Sequence, residues 1–101
     1  MPMPQYTISP TAIRDLEDII DYFTERNVET GDRLLNEFTK KCRYLTQFPL
    51  IGRSYAQIRN YLRGIPMQNY IIFYRVIDED IEIMRVIRGD RNLEAIFEEK
   101  L

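Results

Sequence analysis

The chain has no histidine among its 101 residues. That removes the side chain whose unperturbed pKa lies nearest neutrality and the commonest metal ligand, so neither a histidine general base nor a zinc centre has support. A single cysteine, Cys42, excludes an internal disulfide and fits a reducing cytoplasm. It falls on a helical apolar stripe, where an inert core thiol is expected rather than a nucleophile. No apolar run approaches the ~18 residues of a membrane span. The opening MPMPQYTIS has neither the basic region nor the apolar stretch of a secretory signal, so a cytoplasmic location is expected. A glycine-rich phosphate loop is also missing, which leaves a nucleotide site and any cofactor unsupported. The net charge of −2 argues against a general nucleic-acid binder.

What is present belongs to a globular protein: 45% hydrophobic and 30% charged residues. The length supports one domain, expected over 1–101, with a modest core. The chain is organised around Tyr61 to Arg91. Two apolar runs there, Tyr70–Ile77 and Ile81–Arg88, are rich in β-branched and aromatic residues and are too short for capped helices. Asp78-Glu79-Asp80 between them reads as a turn. A shorter run, Leu62–Pro66, precedes them and ends on a residue that cannot donate to a ladder. These make an antiparallel three-strand meander.

Period-2 phasing puts Tyr70, Ile72, Tyr74 and Val76 on one face of the second strand, and Ile71, Phe73, Arg75 and Ile77 on the other. The third strand divides into Ile81, Ile83, Arg85 and Ile87 against Glu82, Met84, Val86 and Arg88. Neither face is polar throughout, so both are expected to be covered at least in part. A two-residue turn at Asp78-Glu79 sets Arg75 opposite Glu82 and Phe73 opposite Met84. Arg75 and Arg85 then need either ion-pair partners or a wet cleft.

Upstream, Gln5–Ser9 reads as a short strand at the edge or centre of the sheet. Ser9 offers an N-cap with Pro10 at the first helical position. The helix that follows carries an apolar stripe of Ala12, Leu16, Ile19, Ile20 and Phe23, and an acidic outer face expected to be solvated. Asn27 caps a second helix with a stripe of Leu34, Leu35, Phe38, Cys42, Leu45 and Phe48. Lys40, Lys41 and Arg43 sit near its end, where they favour the dipole. Pro49 stops it, Gly52 serves a tight turn, and 49–60 forms a connecting loop without a period. A last short helix from Leu93 presents Leu93, Ile96 and Phe97. The expected fold is α+β in two layers: a small twisted antiparallel sheet, N-terminal strand plus three-strand meander, packed on an α-helical hairpin.

The pieces Ser9-Pro10-Thr11-Ala12, Asp32-Arg33-Leu34-Leu35, Phe48-Pro49-Leu50-Ile51-Gly52-Arg53, Leu62-Arg63, Asn69 to Val76 and Ile83 to Arg91 together resemble the RelE/ParE toxins of type II toxin–antitoxin pairs. The likeness covers roughly residues 6 to 93. It implies a sheet packed on a helical hairpin, a cognate ParD-like antitoxin as partner, and a toxin–antitoxin hetero-oligomer. RelE-like members cut ribosome-bound mRNA with basic and hydroxyl side chains, whereas ParE-like members act on DNA gyrase and need no nuclease site. The nuclease tyrosine of the tail falls on Phe97 and the arginine of the second meander strand on Ile71. Neither side chain moves a proton or stabilises a phosphate. A ParE-like gyrase inhibitor without catalytic residues, metal or cofactor is therefore expected, with a ribosome-dependent nuclease or a degenerate antitoxin-binding partner as alternatives. Arg85, Arg88 and Arg91 are the candidate target-binding residues and Tyr22 the candidate antitoxin contact. Sequence-specific binding of nucleic acid and membrane association are not expected.

Overall fold

A computed structural model of the protein describes residues 3–98. The elements run β1 (Tyr6–Ile8), α1 (Pro10–Thr24), α2 (Val28–Gln47), β2 (Arg53–Ser54), β3 (Arg63–Met67), β4 (Tyr70–Ile77), β5 (Asp80–Arg88) and α3 (Leu93–Glu98). They form one five-stranded sheet in the order β1-β5-β4-β3-β2. The meander is as expected. The sheet as a whole is mixed, because β1 lies parallel to β5 at one edge. At the opposite edge is β2, a two-residue strand inside the segment expected to be irregular. Since β2 reaches only Arg63 and Gly64, Pro66 occupies a part of β3 with no outer neighbour, the edge setting that proline tolerates.

Both helix starts follow their caps. The Ser9 hydroxyl accepts from the Ala12 N–H at 3.1 Å and donates to the Met84 carbonyl, which ties the start of α1 to β5. The Asn27 side chain accepts from the Thr30 N–H at 3.2 Å. Along α2, Leu34, Phe38, Cys42 and Leu45 are buried, at spacings of three and four. Leu35 is exposed because it lies about 100° round the helix from Leu34. Phe48 is exposed because it is the C-cap, where the backbone has left the helix. The expected stripe was thus one residue too wide and one too long.

The two faces of the sheet bury two cores. Ala12, Ile19, Leu34, Phe38, Cys42 and Leu45 of the hairpin pack on Ile72, Tyr74, Ile81, Ile83 and Val86. On the far face, α3 lays Ile96 and Phe97 against Tyr55, Leu62, Phe73, Met84 and Ile87. The fold therefore has a third, partial layer where two were expected. The phasing of β4 agrees with the alternation in its sequence. In β5 it holds only as far as Met84, because the register shifts between Phe73 and Tyr74. Arg75 faces Glu82 as expected, but Phe73 faces Arg85 instead of Met84. The extra residue swaps the faces beyond it, so Val86 joins the hairpin core and Ile87 the far one.

Gly52 does not supply a left-handed turn, since no glycine among the described residues has a positive φ. It supplies space: a Cβ there would lie 2.5 Å from the Tyr74 hydroxyl oxygen. That hydroxyl accepts from the Gly52 N–H at 2.9 Å and donates to the Pro49 carbonyl at 2.8 Å. No described helix is long and apolar enough to cross a membrane.

A candidate binding groove between the first helix and the sheet

α1 from Asp15 to Phe23, the start of β4 and the end of β5 enclose a groove of about 390 Å³. Its helical wall carries Asp15, Asp18, Ile19, Tyr22 and Phe23, and its sheet wall Tyr70 and Arg85 to Arg88, with Arg91 beyond the strand and the Gln68-Asn69 turn closing one end. All four residues singled out from the sequence meet here: Tyr22, Arg85, Arg88 and Arg91. Their charges are not equally free. Arg85 is 13% exposed and makes a bidentate pair with Asp15, Nε to Oδ2 at 2.8 Å and Nη2 to Oδ1 at 3.1 Å. The same Oδ2 accepts the Val86 N–H at 2.9 Å. Arg88 is largely exposed and pairs with Asp90 at 3.0 Å. Arg91 is exposed and has no ion pair among the described residues. Arg75, the other arginine in need of a partner, pairs with Glu82 at 2.7 Å outside the groove.

Tyr22 stands on the rim, 51% exposed, with its ring edge-on to Phe23 and the Arg26 guanidinium 3.8 Å from its centroid. Burial pushes the Tyr70 phenol above its ordinary value, Arg88 opposes that shift and Tyr22 adds to it. Tyr70 is therefore a hydroxyl donor in the groove at neutral pH. The floor is apolar, one wall bears carboxylates and the other guanidiniums. This suits an amphipathic segment with an apolar face and both signs of charge. The Gln68 side chain at the end of the groove donates to the Glu37 carboxylate of α2 at 3.2 Å.

Sequence reasoning missed Tyr70, Asp18 and Asp15 as groove residues; Asp15 belongs to the acidic face expected to be solvated, yet it is 15% exposed and paired with Arg85. Tyr70 reads as one more aromatic of an apolar strand, and Asp18 as one of several acids on a solvated helix. Their meeting depends on how α1 lies across the sheet. Of Phe97 and Ile71, expected in place of polar nuclease residues, the first is a core side chain and the second is half-buried against the same core. Phe97 is fully buried with its ring centroid 5.0 Å from that of Phe73, and Ile71 packs on the same cluster. Among the described residues no group of His, Cys, Asp and Glu is arranged to hold a metal ion.

The fold is shared with a chain of the chromosomal ParDE TA system from P. aeruginosa, with a TM-score of 0.71, 19% identity, and coverage of 85% of this chain and 96% of that one. In sequence, the chain is 30% identical over 82 residues to toxin ParE3 of Caulobacter vibrioides, covering 80% of this chain and 82% of that protein. Residues 6–93 match the family model of the ParE toxin of the type II toxin–antitoxin system, parDE. The chain belongs to the ParE toxin family of type II toxin–antitoxin systems.

Proposed function

We propose that this toxin acts in the cytoplasm by inhibiting DNA gyrase, and that a cognate ParD-like antitoxin silences it in a hetero-oligomeric complex by lying in the groove beside α1. The observation that carries this reading is the convergence of Tyr22 with Arg88 and Arg91 on one groove. An antitoxin segment anchored at Tyr22 covers the two exposed arginines through which the toxin would engage gyrase, so neutralisation is occlusion. Arg85 serves that surface indirectly, as the pair with Asp15 that sets the helical wall against the sheet.

An mRNA nuclease has less support. The tail ring that would need a hydroxyl is Phe97, sealed in the far core, and the net charge of −2 opposes approach to ribosomal phosphates. The test is a supercoiling assay with purified gyrase beside a ribosome-bound mRNA cleavage assay. Blocked supercoiling with intact mRNA is expected. Codon-position cleavage with normal supercoiling would replace this reading by the nuclease, and inactivity in both would leave only an antitoxin-binding partner.

A further inference from the structure

At the opposite end of α2 from the groove, four large apolar side chains lie between 41% and 66% exposed: Tyr44, Phe48, Leu50 and Ile51. They fall within eight residues of the chain, and the Tyr44 and Phe48 rings are in contact at a centroid separation of 5.0 Å. The segment that carries them is held rigidly. The Tyr74 hydroxyl clamps Pro49 and Gly52, and the Arg63 guanidinium donates to the Leu50 and Gly52 carbonyls at 3.3 and 2.9 Å. A fixed apolar projection binds without the entropy cost of ordering a loop.

Its charge setting is one-sided. From Phe38 to Ile77 the chain has seven basic and no acidic side chains, although the whole chain is net −2. Lys40, Arg43 and Arg53 flank the patch, Lys40 one turn before Tyr44 on the same helix face. None of them, nor Arg63, pairs with a carboxylate among the described residues. The patch also lies far from the groove. The Gln68 turn of the groove reaches α2 at Glu37, whereas Phe48 caps that helix eleven residues further on, about 16 Å along its axis.

We propose that the projection formed by Tyr44, Phe48, Leu50 and Ile51 is a second docking surface, which seats in an apolar recess with an acidic rim on the protein that this toxin attacks. The exposed aliphatic chains of Leu50 and Ile51 gain from an apolar protein pocket and nothing from phosphates, so a protein fits better than a nucleic acid. Only the occupant of this surface rests on the proposed function. The groove can be filled by the antitoxin while the projection stays open.

The test compares wild type with Leu50→Asp/Ile51→Asp and with Arg53→Glu for growth arrest on induction, binding to purified gyrase and to duplex DNA, sedimentation, melting temperature and co-purification with the antitoxin. Both variants are expected to keep their melting temperature and their antitoxin, to lose growth arrest, and to bind gyrase about tenfold or more weakly. Variants that arrest growth as wild type does would overturn the proposal. So would loss of the antitoxin in a folded variant, loss of self-association in sedimentation, or a change confined to duplex DNA binding, since each assigns the patch to another occupant. If wild type arrests growth without touching gyrase and the variants do not arrest, gyrase is the wrong target and the surface stands. A wild type that arrests nothing overturns both.

Discussion

Asp15 holds Arg85 and the Val86 N–H with one carboxylate, across 70 residues of sequence and from helix to sheet. This bond is the seam of the candidate groove. With both partners 15% exposed or less, removing the acid leaves a guanidinium short of solvent and an unpaired strand N–H. Asp15→Ala should cost about 3 kcal/mol in urea unfolding, and Asp15→Asn less, because the amide oxygen still accepts from Val86. Equal losses would mean that the charge pair contributes nothing beyond the backbone bond.

Phe38 is 2% exposed in the hairpin core, and Phe38→Ala should cost about 3–5 kcal/mol. That is a large share of the ~5–15 kcal/mol available to a small domain. A melting shift of one or two degrees would place Phe38 outside the core.

The far core makes a parallel claim for the tail. Phe97 is fully buried, and Arg59 donates to its carbonyl from the loop before β3. Phe97→Ala should therefore cost about as much as Phe38→Ala, measured the same way. A near-neutral effect would show α3 to be dispensable. Cutting the chain after Gly89 strips the same core, so point substitutions of Arg88 and Arg91 are the cleaner probes of the groove.

Burial pushes the Cys42 thiol up to about 12 from an ordinary value of 9.0. As pH rises, the unfolded chain releases this proton first, so the folded state binds more protons and stability falls with pH between those values. The slope approaches about 1.4 kcal/mol per pH unit. Burial also raises the Tyr74 phenol, which acts with the same sign. Unfolding followed from about pH 8 to about pH 11 should show the alkaline loss shrinking in Cys42→Ala relative to wild type. Parallel curves would contradict the burial argument.

What the sequence conveyed and what it withheld divide along physical lines. The caps at Ser9 and Asn27 and the alternation of β4 are local, and each was legible because one residue type or one period decides it. The shift at Phe73/Tyr74 was not, because β5 is apolar on both faces and a slipped phase still reads as strand. The two residues of β2 carry no period at all, and the parallel seating of β1 is a matter of topology. At the site, Tyr22 stands out in the sequence as an aromatic off the core stripe of α1, and Arg88 and Arg91 as members of a basic cluster. That they share one groove follows from the packing of α1 on β5, which no local pattern encodes.

The claim that antitoxin and target compete for this groove is tested most directly by titrating the cognate antitoxin into gyrase inhibited by the toxin. With wild type, supercoiling should be blocked and should recover as the antitoxin reaches equimolar amounts. With Tyr22→Asp it should remain blocked at that ratio, while Arg88→Ala/Arg91→Ala should inhibit weakly from the start. Supercoiling untouched by wild type, or an antitoxin that rescues Tyr22→Asp as readily as wild type, would contradict the account.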